Sequence, residues 1–331
     1  MSPAKSTGPA STARPAGSLR VLCTHLAIWL VTFAVAELAL RAFDPRALRE
    51  GQSERSIAYR HDTELGWAPA PGSEFTVTAE RPIHVKHNSL GLRDLEAGRS
   101  GKPRILFIGD SFVWGNDVEA EERFTELLRK AVPDYDIVNA GVSGYGTDQE
   151  YLWLQRLWDR IKPQVVVLMF TVVNDRWDNI SNVRYDGYYK PYFATAPDGS
   201  LRLSGQPVPK PRQLYFKENA LVHHLWIARA AVFAWMALAH LQITLPDPTE
   251  RLVGMMRDYV TAKGARFLVG LQITEPQMVA YLQAQNIPYV AFDGADVYRG
   301  MEFGFHWTPA GHELVAQRLM TLLGRAGVKP D

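Results

Sequence analysis

Two short stretches place a serine and a histidine where side chains of these types perform acyl-transfer chemistry. Ser111 lies in FIGDSFVWG, where an apolar run ends in a turn, and His306 lies in GFHWTPAGH, just before a predicted helix. A serine hydroxyl becomes a nucleophile when a histidine takes its proton. Taken alone, Ser111 is also typical of an N-cap, and His312, in the same second stretch, is better interpreted as a packing residue.

Two further turns carry groups that can stabilise negative charge on a reacting oxygen. VNAGVSGYGTDQE follows a second apolar run, and its glycines permit a tight turn in which the Gly144 N–H can face an oxyanion. TVVND follows a third run and contains Asn174, whose side-chain amide is another donor. The alternatives are an ordinary strand-to-helix loop and a turn asparagine.

The acid that would orient His306 is not evident, because the preceding stretch EFGF contains no aspartate. A histidine base usually leans on a carboxylate. We expect a backbone carbonyl or Glu302 at the second ring nitrogen. The remaining alternatives are an acid from the loop FDGADVYRG, either Asp293 or Asp296, and an inactive site.

The elements that would position these side chains alternate between buried strands and amphipathic helices. Continuous apolar strands separated by helices indicate a parallel sheet covered on both faces. Because the carboxyl ends of parallel strands share one edge, Ser111, Gly144 and Asn174 are expected together there. His306 should lie on the loop that returns to this edge. The five strands are predicted near 104–109, 136–139, 165–171, 266–272 and 288–292.

These motifs, in this order, resemble the SGNH/GDSL hydrolase superfamily, and more narrowly its membrane-anchored bacterial members. The resemblance rests on GDSFVWG, NAGVSGYGT, ND after an apolar strand and HWTPAGH, with ELGWAPAPG and HNSLGLRD upstream. It implies a three-layer α/β/α sandwich whose mostly parallel five-stranded sheet has the flavodoxin-like order 2-1-3-4-5. It also implies Ser111 as nucleophile, His306 as base, and the Ser111 N–H, Gly144 N–H and Asn174 amide as oxyanion donors.

The chain departs from the family pattern in two places. Members commonly carry an aspartate two or three residues before the histidine, where this chain has Gly304 and Phe303. A glycine often precedes the ND pair, where this chain has Val172. The first departure leaves both the orienting acid and activity itself open.

The N-terminal region predicts attachment to a membrane. Residues 1–18 are predicted to be a disordered cytoplasmic tail, and residues 19–40 a helix of about 33 Å, long enough to cross a bilayer core. The basic flank favours a cytoplasmic N-terminus and therefore an extracytoplasmic, periplasmic catalytic domain on a single-pass inner-membrane protein. A cleaved signal, with AVA before Glu37 as the cleavage site, and a buried helix are the alternatives to this signal-anchor.

The rest of the chain divides into a linker with a β-rich entry segment, 41–100, and a hydrolase domain, 101–331, with an insertion at about 176–247. The insertion contains an apolar stretch, ALVHHLWIARAAVFAWMALAHL, which predicts one helix over residues 220–241. Because Arg229 would be costly in lipid, we expect this helix to pack on the domain or touch the membrane surface rather than span it.

Composition narrows the function further. A formal net charge of +1 offers no basic surface for nucleic acid, and one cysteine, Cys23, allows neither an intramolecular disulfide nor a cysteine-type zinc site. No metal and no cofactor are predicted. The predicted function is a serine esterase that removes an acyl group, acetyl being one candidate, from a small molecule or a cell-envelope polysaccharide. The alternatives are an O-acyltransferase acting on such a polysaccharide and a non-catalytic carbohydrate-binding protein.

Overall fold

The computed structural model describes residues 16–50, 58–78, 80–96, 100–185, 187–300 and 305–328. The chain forms two compact units. The helical unit comprises the chain up to Glu50 together with Gln213–Ala239, and the α/β unit comprises Gly51–Arg212 and His240–Asp331. Most of the predicted tail, residues 1–15, lies outside the described residues.

The described strands and helices are as follows. The strands are β1 (Tyr59–Asp62), β2 (Gly66–Pro69), β3 (Glu74–Thr78), β4 (Pro82–Lys86), β5 (Arg104–Gly109), β6 (Asp136–Asn139), β7 (Val165–Phe170), β8 (Val183–Arg184), β9 (Tyr188–Tyr189), β10 (Tyr192–Thr195), β11 (Leu201–Ser204), β12 (Arg266–Leu271) and β13 (Tyr289–Ala291). The α-helices are α1 (Ala16–Phe43), α2 (Ser111–Trp114), α3 (Phe124–Ala131), α4 (Thr147–Ile161), α5 (Val172–Asn179), α6 (Arg212–Glu218), α7 (Ala220–His224), α8 (Trp226–Ala239), α9 (Thr249–Ala262), α10 (Pro276–Ala284) and α11 (Pro309–Arg325). Short 3-10 helices lie at Arg46–Leu48 and Ala120–Glu122.

A five-stranded parallel sheet forms the centre of the α/β unit. Its strands lie in the order β13-β12-β7-β5-β6, with every neighbouring pair parallel. Numbered along the chain, this is the order 2-1-3-4-5, so the predicted topology is confirmed. The five predicted strands are also confirmed, with differences of one residue at some ends. Every residue of β7 is buried, because helices cover both faces of the sheet.

Alternate residues of the strands supply two separate cores. Leu106 and Ile108 of β5 pack with α4, α9 and α10, while Ile105 and Phe107 pack with α3 and α11. Successive side chains of a strand point to opposite faces, so one apolar strand can serve both layers. The predicted three-layer α/β/α sandwich is therefore confirmed.

The entry segment contributes two antiparallel hairpins, β1–β2 and β3–β4, to the α/β unit. Trp67 of β2 is buried in the core, and its indole N–H donates to the Ser143 carbonyl at 3.3 Å. In return, the Tyr145 hydroxyl donates to the Trp67 carbonyl at 2.6 Å. The first hairpin thus packs directly on the glycine-rich loop after β6.

The helical unit contains the apolar N-terminal helix. Leu19–Phe43 of α1 is long and apolar enough to cross a membrane, and none of its most apolar window is buried within the protein. The single helix predicted over residues 220–241 is wrong, because the structure has two helices, α7 and α8, that meet at Leu225 in an extended backbone conformation. Because of the break, the first N–H groups of α8 have no carbonyl partner in a preceding helical turn. The Glu37 carboxylate accepts from two of them, Trp226 N at 3.0 Å and Ile227 N at 2.9 Å.

Candidate active site

Ser111 occupies the turn between β5 and α2, and its neighbour Asp110 caps the helix. The Asp110 carboxylate accepts from Phe112 N at 3.0 Å and from the Thr171 hydroxyl at 2.9 Å. Asp110 is the N-cap residue of α2 and Ser111 its first residue. The N-cap interpretation of Ser111 is therefore wrong, and its hydroxyl is available for another partner.

That partner is His306, whose Nε2 lies 2.9 Å from Ser111 Oγ. The loop before α11 brings the ring to this edge of the sheet, since Tyr298 N donates to the His306 carbonyl at 2.9 Å and Thr308 N to the Asp296 carbonyl at 3.0 Å. The Phe112 ring packs beside the imidazole with centroids 5.2 Å apart. Ser111 and His306 are both buried, as a protected nucleophile–base pair requires.

The second ring nitrogen of His306 faces Asp117, a residue that sequence reasoning missed. His306 Nδ1 lies 3.1 Å from Asp117 Oδ2, and Asp117 is buried. The expectation of a backbone carbonyl or Glu302 at this nitrogen is therefore wrong. No motif in the sequence marks Asp117, because its pairing with His306 joins residues 189 positions apart.

The three acids predicted from the sequence lie elsewhere or outside the described residues. Asp293 accepts from Thr274 N at 2.8 Å and from the Thr274 hydroxyl at 2.5 Å. Asp296 accepts from the Thr308 hydroxyl at 2.7 Å. Both carboxylates thus bind local threonine partners instead of His306, while Glu302 falls within residues 301–304, outside the described residues.

Asp117 is held by the entry segment. Its Oδ1 accepts from Glu80 N, between β3 and β4, at 3.0 Å. The buried Arg93 guanidinium donates to the carbonyls of Trp114, Gly115 and Val118, which surround Asp117 in the chain. Burial, reinforced by the nearby positive charge of Arg123, lowers the pKa of Arg93 to about 9, so the guanidinium stays charged at neutral pH. The turn that carries the acid therefore depends on residues far upstream.

Two glycines explain how the loop after β6 approaches the nucleophile. A Cβ at Gly141 would lie 2.2 Å from Trp114 N, so only glycine permits this contact with α2. Gly144 has φ +78°, and a Cβ there would lie 2.3 Å from the Tyr185 hydroxyl. Val142 N donates to the Gly109 carbonyl at 3.0 Å, which joins this loop to the end of β5.

The predicted oxyanion donors follow three adjacent strands. Ser111 follows β5, Gly144 follows β6 and Asn174 follows β7, and β5 lies between the other two. The Asn174 amide nitrogen donates to Asp110 Oδ2 at 2.8 Å. A side-chain amide carries two N–H hydrogens, so the second hydrogen of the Asn174 amide is not used in the bond to Asp110.

A group of buried carboxyls lies near Asp110 at the same edge. Burial raises the pKa of Glu150 well above its usual range, and the negative charge of Asp175 raises it further. Burial likewise raises the pKa of Asp175, whose Oδ2 accepts from Thr171 N at 3.0 Å. In contrast, Asp148 forms a buried ion pair with Lys190. Among the described residues, no cluster of three or more histidine, cysteine or acidic side chains could hold a metal ion.

Comparisons with known proteins identify the family of the chain. Residues 107–314 match the model of the GDSL-like Lipase/Acylhydrolase family. No curated protein matches the chain. Similar solved structures include a lipolytic protein of the G-D-S-L family from Veillonella parvula, at 14% identity and a TM-score of 0.40 over 68% of this chain and 100% of that one. A second is the psychrotrophic esterase EstA from Pseudoalteromonas sp., at 10% identity and a TM-score of 0.40, covering 69% of this chain and 100% of that one. A third is a GDSL-like lipase from Bacteroides thetaiotaomicron, at 13% identity and a TM-score of 0.35, covering 70% of this chain and 93% of that one.

Proposed function

The chain belongs to the GDSL-like lipase/acylhydrolase family and is a hydrolase of the GDSL type; from this premise we propose that it is an extracytoplasmic serine esterase using Ser111, His306 and Asp117. The observation that carries the proposal is the position of His306, with Nε2 2.9 Å from the serine hydroxyl and Nδ1 3.1 Å from the carboxylate. A neutral imidazole in this arrangement keeps its proton on Nδ1 and its lone pair on Nε2.

The reaction proceeds through an acyl-enzyme. His306 takes the Ser111 proton as Oγ attacks the ester carbonyl, and the imidazolium that forms is stabilised by Asp117. The same proton is then delivered to the departing alcohol. Water enters, His306 removes one of its protons, and attack on the acyl-serine releases the carboxylic acid and restores Ser111.

The oxyanion of each tetrahedral intermediate would be bound by the Ser111 N–H, the Gly144 N–H and the second amide hydrogen of Asn174. This assignment is supported by the position of the three residues, each of which follows one of three adjacent strands of the parallel sheet. Donors held in place before reaction stabilise the developing charge without reorganisation, and losing one typically costs about 10²–10³-fold in kcat.

We place the enzyme at the inner membrane, with α1 as a signal-anchor and the α/β unit on the extracytoplasmic side. The length and apolarity of α1 support an anchor, and the basic residues before it support this orientation. The substrate would be an ester-bearing small molecule or an acylated, for example acetylated, cell-envelope polysaccharide.

An O-acyltransferase is the second candidate, and exposed aromatic rings favour it. Trp177 is 70% exposed on α5, the helix that carries Asn174. Tyr185 is 45% exposed, and its hydroxyl lies over Gly144. Aromatic faces suit sugar rings, so a polysaccharide hydroxyl could replace water as acceptor of the acyl group. The non-catalytic alternative loses its main support, since Asp117 provides the carboxylate that the sequence did not reveal.

Covalent labelling tests the esterase proposal. A fluorophosphonate probe should label the wild-type protein, and the wild type should hydrolyse p-nitrophenyl acetate. Ser111→Ala should abolish both signals, and His306→Ala should abolish hydrolysis. Adding a polysaccharide acceptor distinguishes transfer from hydrolysis, because a transferase would release p-nitrophenol faster and acylate the polymer. An unlabelled wild type, or a Ser111→Ala protein that is still labelled and active, would contradict the proposal.

A further inference from the structure

The second half of α8 has an exposed surface without any charge. Residues 230–239 read AAVFAWMALA, and positions 231, 233–235 and 237–239 are exposed. Leu238 is 82% and Trp235 50% exposed. Only the line through Arg229 and Met236 is buried. Such an apolar surface is unusual in contact with water and marks a site of interaction.

This surface begins where the free part of α1 ends. Residues 19–35 of α1 are exposed throughout, whereas positions 36, 37, 39 and 40 are half-buried. At that point the Glu37 carboxylate caps the N-terminus of α8, and the Arg41 guanidinium donates to the His224 carbonyl at 2.5 Å. The exposed apolar surfaces of α1 and α8 are thus joined within one compact unit.

We propose that α8 is a second membrane contact, with its exposed face inserted into the phospholipid surface beside α1. Its 14 residues span about 21 Å, too short to cross a hydrocarbon core of about 30 Å. In the interface between headgroups and acyl chains, tryptophan and aliphatic side chains enter the lipid. α8 has no charged face of its own, and its buried line packs on the helical unit instead. This inference rests on the proposed anchoring by α1.

Arg229 does not oppose this placement, because its charge is satisfied within the helical unit. Its guanidinium donates to the carbonyls of Val222 and Leu48 at 3.0 and 3.1 Å and pairs with Glu50 at 2.5 Å. It lies in the first turn of α8, on the buried line. A paired arginine at the polar end of an interfacial helix avoids the cost of an isolated charge in lipid.

The shape of the exposed surface favours lipid over a second copy of the chain. A helix that packs on a protein partner buries one stripe of its circumference. In α8 the exposed apolar positions surround most of the helix, excepting the line of Arg229 and Met236. A bilayer covers such a surface on several sides at once.

The test uses an environment-sensitive NBD label on the full-length protein in phosphatidylcholine liposomes that contain a nitroxide lipid. The native Cys23, exposed on α1, reports on the anchor. Leu238→Cys in a Cys23→Ser background reports on α8. Arg202→Cys in the same background, on an exposed strand of the α/β unit, is the control for solvent. Unchanged unfolding midpoints would show that each variant folds.

We expect the label at position 238 to emit at shorter wavelength than the label at 202 and to be quenched by the nitroxide lipid, as at Cys23. Quenching at Cys23 without quenching at position 238 overturns the α8 contact while leaving the anchor intact. Quenching at 238 without quenching at Cys23 removes the anchor and overturns the placement of α8 beside it, and quenching at neither position overturns both. A wavelength shift at 238 that lacks quenching and disappears when the protein is diluted identifies a second copy instead of lipid, and also overturns the proposal.

Discussion

At the scale of single residues, Asp117 shows how a local conformation supplies a distant partner. Its φ of 66° lies in the left-handed region, which aspartate tolerates better than most side chains. Asp117 lies three residues after the end of α2, and its carboxylate faces His306 on one side and Glu80 N on the other. Unusual backbone conformations held by their surroundings often occur at functional sites.

Asp117→Asn should lower kcat on p-nitrophenyl acetate by up to about 10⁴-fold with little change in KM, because the amide no longer selects the reactive tautomer of His306. The matched controls Asp293→Asn and Asp296→Asn should keep wild-type kcat, since these carboxylates bind threonines. The measurement is steady-state kinetics of the wild type and the three variants, with kcat and KM determined separately. Full activity in the Asp117 variant, or a comparable loss in either control, would refute the assignment of the acid.

The pKa of His312 predicts a pH dependence of stability. Burial, followed by the positive charges of Arg123 and Arg93 and by His306, lowers this pKa from 6.5 to about 3, and Nδ1 accepts from Phe124 N at 3.3 Å. The folded protein keeps His312 neutral while the unfolded chain takes up a proton below about pH 6.5. The contribution of His312 to the free energy of unfolding is therefore fully present above pH 6.5. It is lost as the pH falls toward 3, by up to about 1.4 kcal/mol per pH unit.

His312→Asn should accordingly lose less unfolding free energy than the wild type between pH 7 and pH 5, measured by urea denaturation. The exposed His84 gives the control, and His84→Asn should keep the wild-type slope. Equal slopes for wild type and His312→Asn would show that this histidine does not titrate as described.

At the scale of elements, the entry segment contributes to the site although it precedes the sheet. The backbone of the β3–β4 connection donates to Asp117, and Arg93 holds the carbonyls around it. The β1–β2 hairpin supports the other side of the site, since Ser143 N donates to the Tyr59 hydroxyl at 3.1 Å next to Gly144. Tyr59, Glu80 and Arg93 of the entry segment thus hold the backbone and the carboxylate around the proposed catalytic groups.

A backbone donor can be removed selectively at Glu80. Glu80→Pro deletes the N–H that Asp117 accepts, whereas Glu80→Ala keeps it and is the matched control. A hydrogen bond to a charged group contributes about 1.5–3 kcal/mol. If all of that energy is lost from the transition state, kcat of the proline variant should fall between about tenfold and about 150-fold. In the Asp117→Asn background, adding Glu80→Pro should lower kcat by a much smaller factor. Equal losses in both backgrounds would mean that Glu80 acts independently of Asp117.

At the scale of the whole molecule, α1 is the element on which the proposed membrane location depends. The helix is continuous from Ala16 to Phe43 and passes through the AVA sequence before Glu37. Because Glu37 caps α8 within the same unit, the C-terminal end of α1 also has a structural role. The contact of Glu37 with α8 supports the proposed anchor, because cleavage after Ala36 would separate the rest of α1 from this unit.

The mature protein should therefore keep its full mass of 37.2 kDa and remain in the membrane fraction after a high-salt wash, with release by detergent. Intact-mass spectrometry of the purified membrane fraction is the measurement. A mature N-terminus at Glu37, with release by salt alone, would establish a cleaved signal in place of the anchor.

The sequence by itself determined the sheet, because β5, β6, β7, β12 and β13 are apolar runs whose burial depends on local pattern. It also predicted that Ser111 and His306 would meet, because Ser111 follows an apolar strand at the edge where parallel strands end and the stretch around His306 resembles the family's last motif. Asp117, Glu80 N–H and the break between α7 and α8 were decided only by tertiary structure. Each depends on a contact between residues distant in sequence: His306 with Asp117, Asp117 with Glu80, and Glu37 with Trp226. Periodicity and spacing describe neighbours along the chain, so they carry no information about which distant polar group satisfies a buried acid or a helix end.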